Sequence, residues 1–298
     1  MDLVSRRPAT REAGPQVQGN DSPMFGNFRP TELQTRVGTL ARKSSPFLHV
    51  PTVSSPTVST TGSFAYKRAL DIVGGLLLAI LLLPVVVLTA ILIVLSSRGP
   101  AFYTQIRLGR FGKPFVIWKL RTMEHLCEQN SGAKWSTNGD HRVTTLGRFL
   151  RRLHIDEFPQ LWNVLRGEMS LVGPRPERPE FFPVLTSSVP NYAQRLMVKP
   201  GVTGLAQVYL PPDEDVSGVR RKQLYDLFYI RRIGFALDLR IIVATALQAV
   251  GSPHFLVRPF CFLPSRKEVE GPRAHSPVGD LTQMKLLNSD IHRTTVAS

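Results

Sequence analysis

Between Asp71 and Arg98 the chain carries no charged side chain, and Ile72 to Leu95 is apolar almost throughout. As a helix, this stretch reaches about 36 Å, more than the roughly 30 Å of a bilayer's hydrocarbon core. Two features complicate a simple span. Pro84 sits near its middle, where it removes a backbone donor and kinks a helix. Both flanks are basic, with Arg42, Lys43, Lys67 and Arg68 before the run and Arg98, Arg107, Arg110 and Lys113 after it. Segment ends rich in Lys and Arg stay on the cytoplasmic side, and here both ends qualify. A helix–break–helix that enters and leaves by one face satisfies both flanks. A plain transmembrane anchor satisfies the length but not the charge.

The 298 residues carry a formal net charge of +15 and a sequence pI of about 10.5. That balance calls for an anionic partner: nucleic acid, anionic lipid or a phosphate-rich substrate. The only cysteines, Cys127 and Cys261, are far apart and form no C-x-x-C pair. A disulfide framework and a cysteine zinc site are therefore disfavoured, and a reducing or cytoplasm-facing setting fits. Residues 1–63 are rich in Pro, Ser, Thr, Gly and Arg and read as a disordered polar tail. A membrane segment at 64–98 precedes a compact domain at 99–250, and 251–298 reads as a poorly ordered tail.

Within the domain, Phe115 to Trp118 is a short β-like run. Val143 to Leu153 has the spacing of a basic amphipathic helix, and Phe158 to Arg166 that of a second helix, with Pro159 in its first turn and Gly167 near its end. Leu224 to Ile233 and Leu237 to Val250 read as two more helices, the last able to lie on a membrane. The expected class is α+β and mostly helical: a single compact cytoplasmic domain with an N-terminal re-entrant membrane helix hairpin and interfacial amphipathic helices.

Asp156-Glu157 is the first candidate for chemistry. Adjacent carboxylates at a helix start can simply cap it, since the helix dipole favours negative charge there. Arg148, Arg151 and Arg152 lie just upstream. Downstream, Gly173-Pro174-Arg175-Pro176-Glu177 holds one arginine between two prolines. That is either a stiff surface loop or a guanidinium fixed for a bidentate grip on phosphate. Lys119 and Arg121 alternate about Leu120 and project from one face of a strand, solvated or substrate-facing. The turn Lys199-Pro200-Gly201-Val202-Thr203-Gly204 offers backbone amides of the kind that approach anions. No P-loop, dinucleotide fingerprint, H-E-x-x-H or zinc-finger spacing occurs, and aromatic residues are not interleaved with the basic ones. ATP hydrolysis, dinucleotide chemistry, zinc proteolysis and a nucleic-acid partner all lose weight.

These segments, in this order, resemble the bacterial sugar transferase family, the monotopic phosphoglycosyl transferases. The resemblance rests on Lys67-Arg68-Ala69-Leu70-Asp71, Trp118 to Met123, Arg142-Val143-Thr144 with Leu146 to Arg151, His154 to Trp162, Gly167 to Glu177, Lys199 to Val208 and Tyr225 to Ile230. It covers about residues 65–250 and is closest to the family's small form. It implies transfer of a sugar-1-phosphate from a UDP-sugar to polyprenyl (undecaprenyl) phosphate, with release of UMP and a covalent phosphosugar-aspartate intermediate. It further implies Asp156 as nucleophile, Glu157 as ligand of a magnesium ion, Arg175 and Arg151 as phosphate ligands, and Lys119 and Asp226 completing the pocket.

Such an enzyme acts at the bacterial inner membrane with its catalytic domain facing the cytoplasm, and initiates exopolysaccharide, capsule or other glycoconjugate synthesis. A homodimer stays open. The chain departs from the pattern at Tyr209-Leu210-Pro211-Pro212 and Asp213-Glu214-Asp215, a loop placed to bear on sugar choice. Two other readings remain: a glycosyltransferase that releases UDP, and a non-catalytic basic protein tethered to the membrane.

Overall fold

The computed structural model describes residues 61–125, 127, 139–211 and 216–271. Of the tail expected at 1–63, residues 1–60 lie outside them, as do the 212–215 loop and residues 272–298, while 61–63 belong to the first helix. Helix α1 runs from Thr61 to Ser96, 36 residues, and continues through Pro84 without interruption. The break expected at that proline is not seen. Among the described residues α1 is the one helix long and apolar enough, by length and composition, to cross a membrane.

Its side chains divide by face. Leu70, Leu78, Ala79 and Leu82 pack on the main core, and Val86, Ala90 and Ile93 on a smaller cluster with Leu120 and Leu150. These positions recur every three or four residues, one side of a helix. On the other side Ile72, Leu77, Ile80, Leu81, Leu88 and Leu95 are exposed. Gly74 lets the helix approach closely, since a Cβ there would sit 2.8 Å from Leu171 Cδ1.

Both ends of α1 are tied to the same domain. At the start, Lys67 Nζ donates to Asp238 Oδ2 at 2.8 Å, to the Tyr229 hydroxyl at 2.9 Å and to the Val172 carbonyl at 2.9 Å. Arg68 donates to the carbonyls of Val164 and Leu165, both at 3.0 Å, and Asp71 Oδ1 accepts from Ser170 Oγ and the Leu171 amide, both at 2.8 Å. At the far end, Arg121 donates to the Ser97 carbonyl and hydroxyl, both at 2.9 Å, and to the Arg98 carbonyl. A guanidinium suits this place, where the last carbonyls of a helix have no partner within it.

Strands β1 (Phe102–Leu108) and β2 (Pro114–Leu120) form an antiparallel hairpin that pairs Tyr103 with Lys119 and Arg107 with Phe115. Helix α2 (Thr145–Arg152) starts at Thr144, whose hydroxyl accepts from the Gly147 amide at 2.9 Å. Helix α3 (Gln160–Arg166) follows Pro159 and ends at Gly167 in the left-handed conformation, φ 80°. Strands β3 (Ser170–Val172) and β4 (Gly201–Thr203) pair in parallel. Helices α4 (Phe182–Ser188), α5 (Leu205–Tyr209), α6 (Val216–Arg231) and α7 (Phe235–Ala249) complete a mostly helical fold. Phe115, Val164, Met169, Leu171, Tyr229 and Ile241 lie in its main core.

Residues 254–270, expected as tail, instead form helices α8 (His254–Phe260) and α9 (Arg266–Glu270). Val257 and Cys261, one turn apart, enter the main core. The Tyr209 hydroxyl donates to the Pro264 carbonyl and the Tyr225 hydroxyl to Glu270 Oε1 at 2.6 Å, which fixes the segment to the domain. Periodicity alone missed it because only two core positions anchor α8.

Candidate active site

Asp156 and Glu157 lie on a single 3-10 turn, Ile155–Glu157, between α2 and α3. His154 opens that turn at φ 56°, and Pro159, which has no N–H to donate, separates it from α3. Both carboxylates are buried. Asn163, fully buried on α3, fixes the turn against the hairpin: its amide donates to the Val116 carbonyl at 2.7 Å and its oxygen accepts from the Trp118 amide at 3.2 Å.

Glu157 is the charge centre. Its Oε1 accepts from Lys119 Nζ at 2.8 Å and from Arg175 at 2.6 Å, and a second Arg175 nitrogen reaches Oε2 at 3.3 Å. Burial alone would raise the Glu157 pKa, but Arg175 and Lys119 overcome it and hold the carboxyl well below its usual value. Asp156 is shifted the other way: burial first, then the Glu157 charge, raise it against the pull of Lys119, Arg151 and Arg175. The two adjacent carboxylates thus differ. Glu157 is neutralised by bonded cations, while Asp156 is the more basic and the less committed. Burial also lowers the pKa of Lys119, although Glu157 opposes that shift.

Arg175 is held rigidly. The Pro174 carbonyl accepts from the Gly201 amide at 2.9 Å, that of Arg175 from Arg195 at 3.1 Å, that of Pro176 from Arg107 at 3.1 Å, and that of Glu177 from the Leu108 amide at 2.9 Å. Every carbonyl from 174 to 177 is therefore engaged. Arg195 is in turn paired with Asp226 at 2.8 Å. The 199–204 turn, expected as an anion-binding loop, serves instead as the backing of this loop. A Cβ on Gly201 would sit 2.1 Å from the Gly173 nitrogen, so only glycine permits the approach.

Lys119, Arg151, Asp156, Glu157 and Arg175 form one constellation. Arg151 acts on Asp156 through space while its Nε donates to Thr122 Oγ1 at 2.8 Å. Asp226 stands one step behind, orienting Arg195. Arg121, expected beside Lys119 on a solvated or substrate-facing side of the strand, is engaged instead with the end of α1. Leu120 between Lys119 and Arg121 is buried against Ile93 of that helix, so three consecutive residues join the dyad to α1. Arg195 is not marked out by the sequence, and Arg107 only as a basic flank of the apolar run. An arginine alone in an apolar strand was the one available sign for Arg107, and Arg195 had none.

Among the described residues, no three His, Cys, Asp or Glu side chains converge as a metal cage. The adjacent carboxylates of Asp156 and Glu157 are nonetheless hard oxygen donors. Glu157, the expected magnesium ligand, already accepts from Lys119 and Arg175 through both oxygens, so a magnesium ion completed by water and substrate phosphates would share that carboxylate with them.

Residues 62–252 match the profile described as bacterial sugar transferase. Three relatives illustrate the likeness. The chain is 40% identical over 179 residues to a UDP-N-acetylgalactosamine-undecaprenyl-phosphate N-acetylgalactosaminephosphotransferase of Aeromonas hydrophila, covering 60% of this chain and 42% of that protein. It is 45% identical over 181 residues to a UDP-glucose:undecaprenyl-phosphate glucose-1-phosphate transferase of Caulobacter vibrioides, covering 60% and 67%. It is 37% identical over 188 residues to an exopolysaccharide production protein of Rhizobium leguminosarum, covering 61% and 94%. The matched span contains the dyad, both cations on Glu157 and the loop that carries Arg175; the chain belongs to the bacterial sugar transferase family.

Proposed function

We propose that the protein transfers a sugar-1-phosphate from a UDP-sugar to undecaprenyl phosphate, releasing UMP, as the initiating step of exopolysaccharide or another glycoconjugate. The observation that carries this reading is the asymmetry of the dyad. A buried carboxylate with a raised pKa is a better nucleophile than one neutralised by two cations. Asp156 attacks the β-phosphorus of the donor, the bond from that phosphorus to the oxygen bridging the α-phosphate breaks, and UMP leaves with the electron pair. An oxygen of the lipid phosphate then attacks the same phosphorus and Asp156 departs as carboxylate. Charge gathers on the phosphoryl oxygens, where Arg175, Lys119 and Arg151 lie within reach to offset it. Magnesium bound by Glu157 together with donor phosphates would add a further positive charge there.

The site's position supports a lipid acceptor. Lys119 touches the dyad while Leu120 and Arg121 touch the end of α1. Both ends of the uninterrupted α1 are attached to the catalytic domain and one side of it packs on that domain, which leaves its exposed apolar side as the face that meets lipid beside the site. The deciding experiment supplies the full chain in nanodiscs with magnesium, undecaprenyl phosphate, and UDP-glucose or UDP-N-acetylgalactosamine. UMP release that requires the lipid phosphate and Asp156 is expected. UDP release would overturn the phosphoryl-transfer step.

A further inference from the structure

Residues 254–262 lie beyond the span matched by the family. Their inward side chains, Val257 and Cys261, are core residues, whereas Phe255, Leu256, Phe260 and Phe262 are exposed. Phe260 is 70% and Phe262 76% accessible. Phe262 also adopts φ 50°, a left-handed conformation unfavourable for a bulky residue. A soluble surface does not keep four large apolar side chains on nine residues facing water.

This patch is continuous with the membrane helix. Tyr66 on α1 meets Phe235 of α7 edge-on, with centroids 6.0 Å apart and planes at 87°. The outward face of α7 then runs through Phe235, Leu239, Val243 and Val250, all exposed, toward Phe255. Arg240, on the same face, donates to the Phe262 carbonyl at 3.4 Å. Exposed Arg231 and Arg240 provide the positive charge that anionic headgroups attract.

We propose that residues 254–262 form an aromatic wedge that inserts into the lipid interface beside α1, with the bilayer as its occupant. Aromatic side chains next to basic ones partition at that depth. Contact along one helix leaves the domain free to roll about the helix axis. A second contact, carried off-axis by α7 and α8, removes that freedom and fixes the direction in which the dyad faces the membrane. The inference rests on the reading of α1 as membrane-embedded.

The test places a tryptophan reporter in the full chain, reconstituted in nanodiscs with lipids brominated along the acyl chain. Phe260→Trp, Lys267→Trp and Leu81→Trp are each read as the difference from the parent, which has three tryptophans. Severalfold stronger quenching at 260 than at 267, together with quenching at 81, is the expected result. Quenching at 81 without quenching at 260 overturns the wedge and leaves the membrane reading of α1 intact. If neither is quenched, both fall. Equal quenching at 260 and 267 overturns face-specific insertion. Disulfide-linked dimers of Phe260→Cys, with 260 unquenched, would assign the patch to a second copy of the chain.

Discussion

Arg195 donates to the carbonyl of Arg175 at 3.1 Å while its Nε is paired with Asp226 at 2.8 Å. The guanidinium that meets Glu157 is thus aimed by a second, buried one. Arg195→Lys keeps the charge but loses the fork that serves both partners. Turnover is expected to fall about 10- to 100-fold with a smaller change in the KM for the UDP-sugar, because the lost property is alignment. Steady-state UMP release measures both constants. An unchanged kcat would show that the loop is rigid without Arg195.

Asp156→Asn should abolish sugar-phosphate transfer, lowering UMP release by about three orders of magnitude or more. The same change should not harm the fold. Burial and the Glu157 charge raise the Asp156 pKa above its ordinary 3.8, so the ionised form is disfavoured in the native state. This penalty is absent below the unfolded pKa, grows as pH rises from there to the folded pKa, and is complete above it. The variant is expected to be more stable than the parent at neutral pH, with the difference vanishing in acid. Thermal melts of both proteins across that range measure it.

Glu157→Gln acts in the opposite sense. The native Glu157 pKa lies well below its ordinary 4.5, so its contribution is present above that value and is lost as pH falls toward the native pKa. Removing the carboxylate also leaves Lys119 buried without its partner. A loss of about 2–3 kcal/mol at neutral pH is expected, moderated by the exposure of Arg175. Melts below pH 4.5 should bring parent and variant together.

Lys67→Met strips the buried Asp238 of its cation. Because an uncompensated buried charge is costly, about 3–5 kcal/mol should be lost. The double variant Lys67→Met, Asp238→Leu should recover most of that. Additive losses in the double-mutant cycle would mean that the two residues act independently.

Two glycines contrast in kind. Gly201→Ala drives a methyl against the Gly173 backbone at 2.1 Å, where nothing can yield, and should cost more than about 3 kcal/mol or prevent folding. Gly74→Ala meets only the end of the Leu171 side chain at 2.8 Å and should cost about 1 kcal/mol. Yield and melting temperature in detergent distinguish the two.

Local features were legible in the sequence and distant pairings were not. The apolar run, the helix ending at Gly167 and the dyad between two helices follow from patterns a few residues long. Lys67 and Arg68 read as flanking charges because nothing nearby announces Asp238 or the carbonyls at 164 and 165. Arg121 read as a solvated or substrate-facing partner of Lys119 because their spacing places both on one face, whereas the strand ends at Leu120 and Arg121 turns to the end of α1. The 199–204 turn offers amides, but their partners lie in a loop about 25 residues earlier. Arg195, with partners on either side of it in sequence, left no local trace.

The grip of Lys119 and Arg175 on Glu157 means that the resting site already contains an internal rival for its donor. On the proposed reading, a diphosphate donor that binds Arg175 competes with a carboxylate already bonded to it at 2.6 Å. Donor affinity is therefore the difference between two ion pairs rather than the strength of one, and a ligand with a single negative charge gains little from the trade. On that reading, discrimination against monoanions begins with this competition, before any sugar or base is recognised.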